Sequence, residues 1–175
     1  MNIILVGYRC SGKTEVGRML AKEMGRDFID TDVLIEKDAG YSIETIIKRE
    51  GWDHFRKIEK RIIKEVSKRD DLIIATGGGV VMNEENVMSL KKNGFIIWLN
   101  GKGEVLKERM ERDQRSGRIR PSLTGADPLE EIEAVLDVRN PLYERAGDLM
   151  VDTSHLSISE VVNSIIRFLP EKGVR

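Results

Sequence analysis

The stretch that decides the fold covers residues 3–14 and reads IILVGYRCSGKT. It opens with a short continuous apolar run, typical of a strand that is buried on both faces of a parallel sheet. Residues 7–14 then match the pattern G-x-x-x-x-G-K-[ST], in which a glycine-rich loop turns its backbone N–H groups towards phosphate oxygens. Because a strand pattern precedes this loop and a helical pattern follows it, the sequence predicts a nucleoside triphosphate site.

Individual residues of this phosphate loop (residues 7–14) are expected to have distinct chemical roles. We expect Lys13 to reach the β- and γ-phosphates and the Thr14 hydroxyl to bind Mg²⁺. Cys10 is the single cysteine of the chain and is interpreted as a spacer in the loop, not as a nucleophile. We predict nucleotide contacts from the loop and the start of the following helix, at Cys10, Ser11, Gly12, Lys13, Thr14 and Glu15.

Length and composition limit the class of protein. A chain of 175 residues suits one domain, and its net charge of −1 gives no overall field that favours nucleic acid or an anionic membrane. One cysteine excludes an internal disulfide framework and fits a reducing compartment. Because the N-terminus lacks a basic leader, we expect a cytoplasmic protein with neither a membrane nor a nucleic-acid partner. Because the sequence shows no coiled-coil repeat, we expect a monomer.

Outward from the loop, short apolar runs alternate with stretches of helical period. The runs lie at residues 3–6, 28–29, 72–75, 95–99 and 149–151. This alternation predicts an α/β fold, namely a single three-layer α/β/α domain over residues 1–175 with a five-stranded parallel sheet of the P-loop NTPase type. A capping pattern at Asp127, Pro128 and Glu130 predicts a helix start there, and Pro141 is expected to bend or end that helix.

Two further motifs follow predicted strands. The second strand ends in Asp30-Thr31-Asp32, and the third ends in Thr76 and the triple glycine Gly77–Gly79 without a terminal acid. With both aspartates on an extended segment at the strand end, we expect Asp30 to hold Mg²⁺ through water and Asp32 to meet an acceptor hydroxyl. The alternative is a helix-capping pair, and the triple glycine suits either a close approach to a small ligand or a simple tight turn.

An arginine-rich segment near residues 107–125 stands apart from the compact pattern. It contains Arg109, Arg112, Arg115, Arg118 and Arg120, followed by Pro121. We interpret about residues 109–125 as a mobile lid, with a solvated charged loop as the alternative.

Taken in order, these motifs resemble those of shikimate kinases, small members of the nucleoside monophosphate kinase-like branch of P-loop proteins. The matching residues are 7–14, Asp30-Thr31-Asp32, Phe55-Arg56 with Glu59, Gly77–Gly79, Arg120-Pro121, and Arg139 before Pro141-Leu142-Tyr143. The resemblance implies transfer of the γ-phosphoryl group of ATP to the 3-hydroxyl of shikimate in aromatic amino-acid (chorismate) biosynthesis. It also implies Mg²⁺ as cofactor, with ATP and shikimate as the small-molecule partners.

The resemblance further implies a role for each matching residue. Lys13, Asp32 and Arg120 would be catalytic, with Asp32 binding the acceptor hydroxyls and taking the proton, and Arg120 stabilising the transferring phosphate from the lid. The shikimate carboxylate would be held by Arg56 and Arg139, and the ring would contact Gly78 between Gly77 and Gly79. The acceptor-binding helical region would cover about residues 32–62. Arg112 would stack on adenine, with Arg109 or Arg115 as alternatives.

This chain departs from the family pattern in three places. Cys10 stands where the family usually has glycine, and Ser122 stands where the first of two leucines commonly follows Arg120-Pro121. We also expect an extra residue between Arg112 and Arg120 relative to close relatives, which leaves the choice of the adenine-stacking arginine open.

Three other functions fit parts of the pattern. A gluconate kinase would keep the phosphate loop and the lid, and its substrate also carries a carboxylate. An adenylate-kinase-like enzyme would have no evident use for the Asp-Thr-Asp and triple-glycine motifs. A catalytically inactive ATP-binding regulatory module is the alternative from a different class. The residues that argue against it are Lys13, Thr14, Asp30, Asp32 and Arg120.

Overall fold

A computed structural model describes residues 1–115 and 122–171 of the chain, with side chains to residue 169. The apolar runs form five parallel strands in the order β2-β3-β1-β4-β5, which confirms the predicted α/β domain. The strand bounds are β1 Asn2–Val6, β2 Asp27–Asp30, β3 Leu72–Ala75, β4 Gly94–Asn100 and β5 Leu149–Asp152. Because β1 is central, the loop that follows it lies at the middle of the carboxyl edge of the sheet.

Seven α-helices and one short 3₁₀ helix connect the strands in the described part of the chain. Their bounds are α1 Lys13–Met24, α2 Thr31–Ala39, α3 Ile43–Val66, the 3₁₀ helix Val80–Met82, α4 Glu84–Lys91, α5 Gly103–Arg115, α6 Ile132–Ala146 and α7 Ile158–Glu171. None of these helices has both the length and the apolar composition needed to cross a bilayer.

The alternation of side chains along β1 divides the core into two layers. Ile4 and Val6 pack with α3, α4 and α6 on one face of the sheet. Ile3 and Leu5 pack with α1 and α7 on the other face. Both faces are therefore covered, which explains why the strands read as continuous apolar runs.

Glycine and short polar side chains set several helix ends. The phosphate loop leads into α1 through Gly12, whose φ of 92° is readily adopted only by glycine. Ser42 caps α3, and the helix is interrupted at Gly51, where φ is 82° and ψ is 173°. This interruption orients the second part of α3, which carries Arg56 and Glu59, independently of the first part.

The last long helix before β5 differs from the sequence prediction at two points. It begins at Ile132 and not at Asp127, because the Asp127 side chain caps only a turn, accepting from the Leu129 N–H at 2.8 Å. Pro141 does not end the helix but lies inside α6. Buried contacts of Tyr143 and Ala146 with the core hold the last turn in helical form despite the missing proline N–H.

Gly17 brings α1 close to the sheet, and its replacement tests this packing. A Cβ at Gly17 would lie 2.5 Å from Cε2 of Phe28. Alanine normally stabilises a helix interior by about 1 kcal/mol relative to glycine, whereas overpacking a core costs about 1–3 kcal/mol. We therefore expect Gly17→Ala to lower the free energy of unfolding by up to about 2 kcal/mol, measured by urea denaturation.

Gly103→Ala is the matched control, because a Cβ there meets only the flexible carboxylate end of the exposed Glu133 side chain. We expect this variant to keep the stability of the wild type. A Gly17→Ala variant about 1 kcal/mol more stable than the wild type, the helix-propensity gain alone, would show that the approach of α1 to Phe28 is not tight.

Candidate active site

A cavity of about 850 Å³ opens at the carboxyl ends of the strands. It brings together residues from the phosphate loop, α2, α3, the triple glycine, α5 and α6. The predicted site residues that line it are Cys10, Gly12, Lys13, Thr14, Glu15, Asp30, Asp32, Arg56, Gly77, Gly78, Gly79, Arg112 and Arg139. Ser11 is buried within the phosphate loop beside the cavity, and Arg120 lies outside the described residues.

The phosphate loop is curled around the ammonium group of Lys13. Lys13 Nζ donates hydrogen bonds to the carbonyl oxygens of Gly7 and Tyr8 at 2.8 and 2.7 Å. With these carbonyls turned towards the lysine, the loop ends at the N-terminus of α1, where the helix dipole is positive. The arrangement suits an anion that faces Lys13 and the first turn of α1.

Asp30 connects the phosphate loop with the next strand and helix. Its Oδ2 accepts a hydrogen bond from Thr14 Oγ1 at 2.8 Å, and its Oδ1 accepts from the N–H of Asp32 at 3.0 Å. Asp30 is therefore both the cap of α2, as the capping alternative predicts, and the partner of the loop hydroxyl.

Asp32 lies in the first turn of α2, and the expectation of an extended segment through both aspartates was wrong. The strand ends at Asp30, whose side chain immediately caps the helix that contains Asp32. The carboxylate of Asp32 lies against the triple glycine, because a Cβ at Gly77 would be 2.7 Å from Asp32 Oδ1. A side chain at Gly77 would displace this carboxylate.

Arg56 is held in the cavity wall by a buried carboxylate and two rings. Its Nη1 donates to Glu59 Oε2 at 2.7 Å, and its guanidinium carbon lies 5.4 Å from the Trp52 ring centroid and 5.1 Å from that of Phe55. A Cβ at Gly79 would clash with this guanidinium. Arg56 is thus fixed in position before any ligand binds, and it can pair with Glu59 while its guanidinium still faces the cavity.

Glu59 is the buried acid of this wall. It is 1% exposed, and its Oε1 has no hydrogen-bond partner among the described residues. Burial raises the pKa of Glu59 above its ordinary value, although the neighbouring Arg56 and Arg139 oppose the change. Sequence reasoning noted Glu59 only as part of a motif, since no local pattern shows that a helical glutamate is buried.

Arg139 and Tyr143, one helical turn apart on α6, hold the same backbone carbonyl. Arg139 Nη1 donates to the Gly78 carbonyl at 3.2 Å, and the Tyr143 hydroxyl donates to the same oxygen. Burial raises the pKa of Tyr143 to about 12, so its hydroxyl remains a donor at neutral pH. These two contacts fix the peptide plane between Gly78 and Gly79, and Tyr143 was not predicted as a site residue.

The arginines of α5 differ in their surroundings. Arg109 donates to the Thr153 carbonyl at 2.5 Å, to Thr153 Oγ1 at 3.1 Å and to the Cys10 carbonyl at 3.4 Å. Arg112 also lines the cavity, but its side chain is 72% exposed and pairs with Glu108 at 3.6 Å. Arg115 is exposed at the end of α5. Arg109 therefore joins α5, the phosphate loop and the loop after β5.

Metal-binding potential is confined to few groups. In residues 1–115 and 122–171 there is no cluster of three or more His, Cys, Asp or Glu side chains that could hold a metal ion. The adjacent oxygens of Thr14 and Asp30 are hard ligands of the kind that Mg²⁺ shares with substrate phosphates and water.

Comparisons with known proteins agree on one family. The family model described as shikimate kinase matches residues 9–170. A shikimate kinase from Symbiobacterium thermophilum is 43% identical over 175 residues, covering 100% of this chain and 99% of the relative. The solved shikimate kinase from Acinetobacter baumannii in complex with shikimate has a TM-score of 0.90 at 32% identity, covering 99% of this chain and 95% of that one.

A more distant structural neighbour is similar in fold. A gluconokinase from Sinorhizobium meliloti has a TM-score of 0.64 at 20% identity, covering 97% of this chain and 91% of that one. At this level of identity the likeness concerns the fold alone.

The buried Glu59 predicts a pH effect on stability. Because its pKa in the folded protein is raised above 4.5, the folded state binds this proton more tightly than the unfolded chain does. The contribution of Glu59 to stability is therefore greatest below pH 4.5 and is lost as the pH rises through the folded-state pKa. We expect the unfolding free energy of the wild type, measured by urea denaturation, to fall relative to that of Glu59→Gln as the pH rises above 4.5.

Glu65→Gln, which removes an exposed carboxylate from the same helix, is the control for this experiment. A difference between wild type and Glu59→Gln that did not change with pH would contradict the raised pKa.

Proposed function

The chain belongs to the shikimate kinase family, and from this premise we propose how its residues transfer the γ-phosphoryl group of ATP to the 3-hydroxyl of shikimate. The products are 3-phosphoshikimate and ADP, and the pathway is aromatic amino-acid biosynthesis through chorismate. One observation supports the proposal above the others. A single cavity contains the phosphate loop, the Asp32 carboxylate and two arginines, Arg56 and Arg139, suited to a carboxylate-bearing acceptor.

The phosphate loop binds ATP. The backbone from Cys10 to Thr14 surrounds the phosphates, with Glu15 in the first turn of α1, and Lys13 exchanges its loop carbonyls for the β- and γ-phosphate oxygens. For the adenine, the geometry favours Arg109 over Arg112. Arg109 is fixed between the loop and Thr153, whereas Arg112 is exposed to solvent.

Mg²⁺ fits the pair formed by Thr14 and Asp30. The Thr14 hydroxyl would be a direct ligand, and Asp30 would hold the ion through water, since its carboxylate is already within hydrogen-bond distance of that hydroxyl. When bound, the ion neutralises charge on the β- and γ-phosphates. The residues of the chain supply the position, because Asp30 is fixed by capping α2.

Shikimate binds on the side of the cavity formed by about residues 32–62 and the triple glycine. Its carboxylate pairs with Arg56 and Arg139, whose guanidinium groups offer paired donors that match the two oxygens. The ring lies against the backbone of Gly77–Gly79, where side chains are excluded by Asp32 and Arg56. Glu59 holds Arg56 by a hydrogen bond, and Tyr143 holds the Gly78 backbone by donating to its carbonyl oxygen.

Asp32 orients the acceptor hydroxyl and accepts its proton. An ordinary aspartate has a pKa of about 3.9 and is a weak base towards an alcohol, so the proton moves late, as the new bond to phosphorus forms. Phosphoryl transfer depends mainly on position and charge neutralisation. Arg120, which lies outside the described residues, completes the proposal as the cation of a lid at about residues 109–125 that stabilises the transferring group.

The proposal includes a cytoplasmic monomer that acts on small molecules and binds neither nucleic acid nor membrane. The presence of a single cysteine, Cys10, supports a reducing compartment.

ADP release with ATP and Mg²⁺ tests the choice of acceptor. We expect release that depends on shikimate and a product whose mass is that of phosphorylated shikimate, because the rigid Arg56 and Arg139 pair suits a carboxylate on a ring. Gluconate and a sample without acceptor are the controls. Release with gluconate alone would overturn the acceptor, and ATP binding without release from either acceptor would favour a regulatory module.

Replacement of Asp32 tests the catalytic assignment. Asp32→Asn keeps the size of the side chain but removes the proton acceptor, so we expect kcat to fall by about 10²–10⁴-fold while ATP binding changes little. Steady-state kinetics and calorimetric titration of ATP measure the two effects.

Asp38→Asn is the control, because Asp38 lies on the same helix and pairs with Arg61 away from the cavity. Turnover by Asp32→Asn at the wild-type rate would exclude Asp32 as the proton acceptor.

A further inference from the structure

Glu131, just before α6, carries a buried carboxylate that is outside the set of residues assigned above. It is 3% exposed. Both of its oxygens accept from the Leu123 N–H at 2.9 Å, and Oε2 also accepts from the Thr124 N–H at 2.9 Å. The hydroxyls of Ser122 and Thr124 donate to Oε2 at 3.0 and 2.9 Å. Consecutive backbone N–H groups converge here as they do around a bound anion.

The same carboxylate faces the phosphate loop. Arg9 Nη1 lies 3.5 Å from Glu131 Oε1, and the Arg9 side chain is 10% exposed. Burial alone would raise the pKa of Glu131, but the hydrogen bonds from Leu123, Thr124 and Ser122 lower it below its ordinary value. The charged carboxylate therefore joins residues 122–124 to a cation of the phosphate loop.

These contacts fix one wall of the cavity. Leu123 lines the cavity and packs, together with Cys10, against the cluster that contains Tyr8, Leu106 and Met110. The backbone of Leu123 is held by Glu131, so the position of its side chain against the phosphate loop depends on that carboxylate.

Ser122 is explained by the same arrangement. This residue departs from the leucine that commonly follows Arg-Pro in the family, and its hydroxyl donates to Glu131. A leucine could not make this bond, so Ser122 and Glu131 form a matched pair in this chain.

We propose that Glu131 is a positioning residue for the nucleotide half of the site, acting through Arg9 and residues 122–124. By fixing Leu123 and the Arg9 guanidinium against the phosphate loop, it sets the affinity for ATP and leaves that for shikimate unchanged. The inference rests on the proposed function for its kinetic test, and ATP binding without acceptor tests it independently.

Glu131→Gln tests the proposal with little change in size. The amide NH₂ would face backbone donors, and the charge opposite Arg9 would be lost. We expect about a tenfold increase in both the Kd for ATP, measured by calorimetry without acceptor, and the KM for ATP. The KM for shikimate should stay within about twofold, and Glu130→Gln, which removes an exposed neighbouring carboxylate, should match the wild type.

Two further variants separate positioning from a purely structural role. Ser122→Ala removes one hydrogen bond and should raise the Kd for ATP by about two- to threefold, which keeps the test open if Glu131→Gln does not fold. If Glu131 acts through Arg9, the effects of Arg9→Met and Glu131→Gln on the Kd for ATP should be less than additive in the double variant.

An unchanged Kd for ATP in both Glu131→Gln and Ser122→Ala would overturn the proposal. So would equal increases in both KM values together with a lower melting temperature, since that pattern indicates a structural role alone. Wild-type protein that binds ATP but does not phosphorylate shikimate would instead refute the proposed function, and the calorimetric comparison would still decide the role of Glu131.

Discussion

The hydrogen bonds from the Lys13 ammonium group to the carbonyls of Gly7 and Tyr8 are the contacts on which the site depends. In the ligand-free protein they hold the loop in a curl that leads into the N-terminus of α1. The curl needs a fixed base, which β1 provides as the central strand of the sheet. From that position the loop reaches α2 through Thr14 and Asp30, and α5 through Cys10 and Arg109. The nucleotide and acceptor halves of the cavity are therefore built around one strand end.

The acceptor half of the cavity depends on glycine positions that carry no side chain as well as on the charged side chains that line it. Gly77 and Gly79 leave the volume that Asp32 and Arg56 occupy, and the Gly78 carbonyl receives the donors of Arg139 and Tyr143. An acid from β2–α2 and a cation from α3 can thus approach the end of β3 without a steric conflict. The triple glycine is the point at which three separate segments of the chain meet.

Most of the fold could be predicted because buried parallel strands and the phosphate loop have strong local signals. Local signals failed where tertiary contacts decide. The capping pattern at Asp127 predicts a helix start, yet α6 begins at Ile132. Pro141 remains helical because its neighbours are buried, and the surroundings of Arg109 and Arg112 depend on how α5 is rotated against Thr153. The partners of Glu131 come from a turn that precedes it in sequence, and no motif indicates that contact.

The fixed position of Arg56 has a consequence for the energetics of recognition. A long flexible side chain loses up to about 2 kcal/mol of rotamer entropy when it is immobilised. Here Glu59, Trp52 and Phe55 restrain Arg56 already in the ligand-free protein, so that entropy is lost during folding and not during binding. The affinity for a small anion is therefore higher, because less rotamer entropy is lost on binding, and the free energy of unfolding is lower by the same entropy. The binding site is therefore rigid before the ligand arrives, and the rotamer entropy of Arg56 is part of the cost of folding.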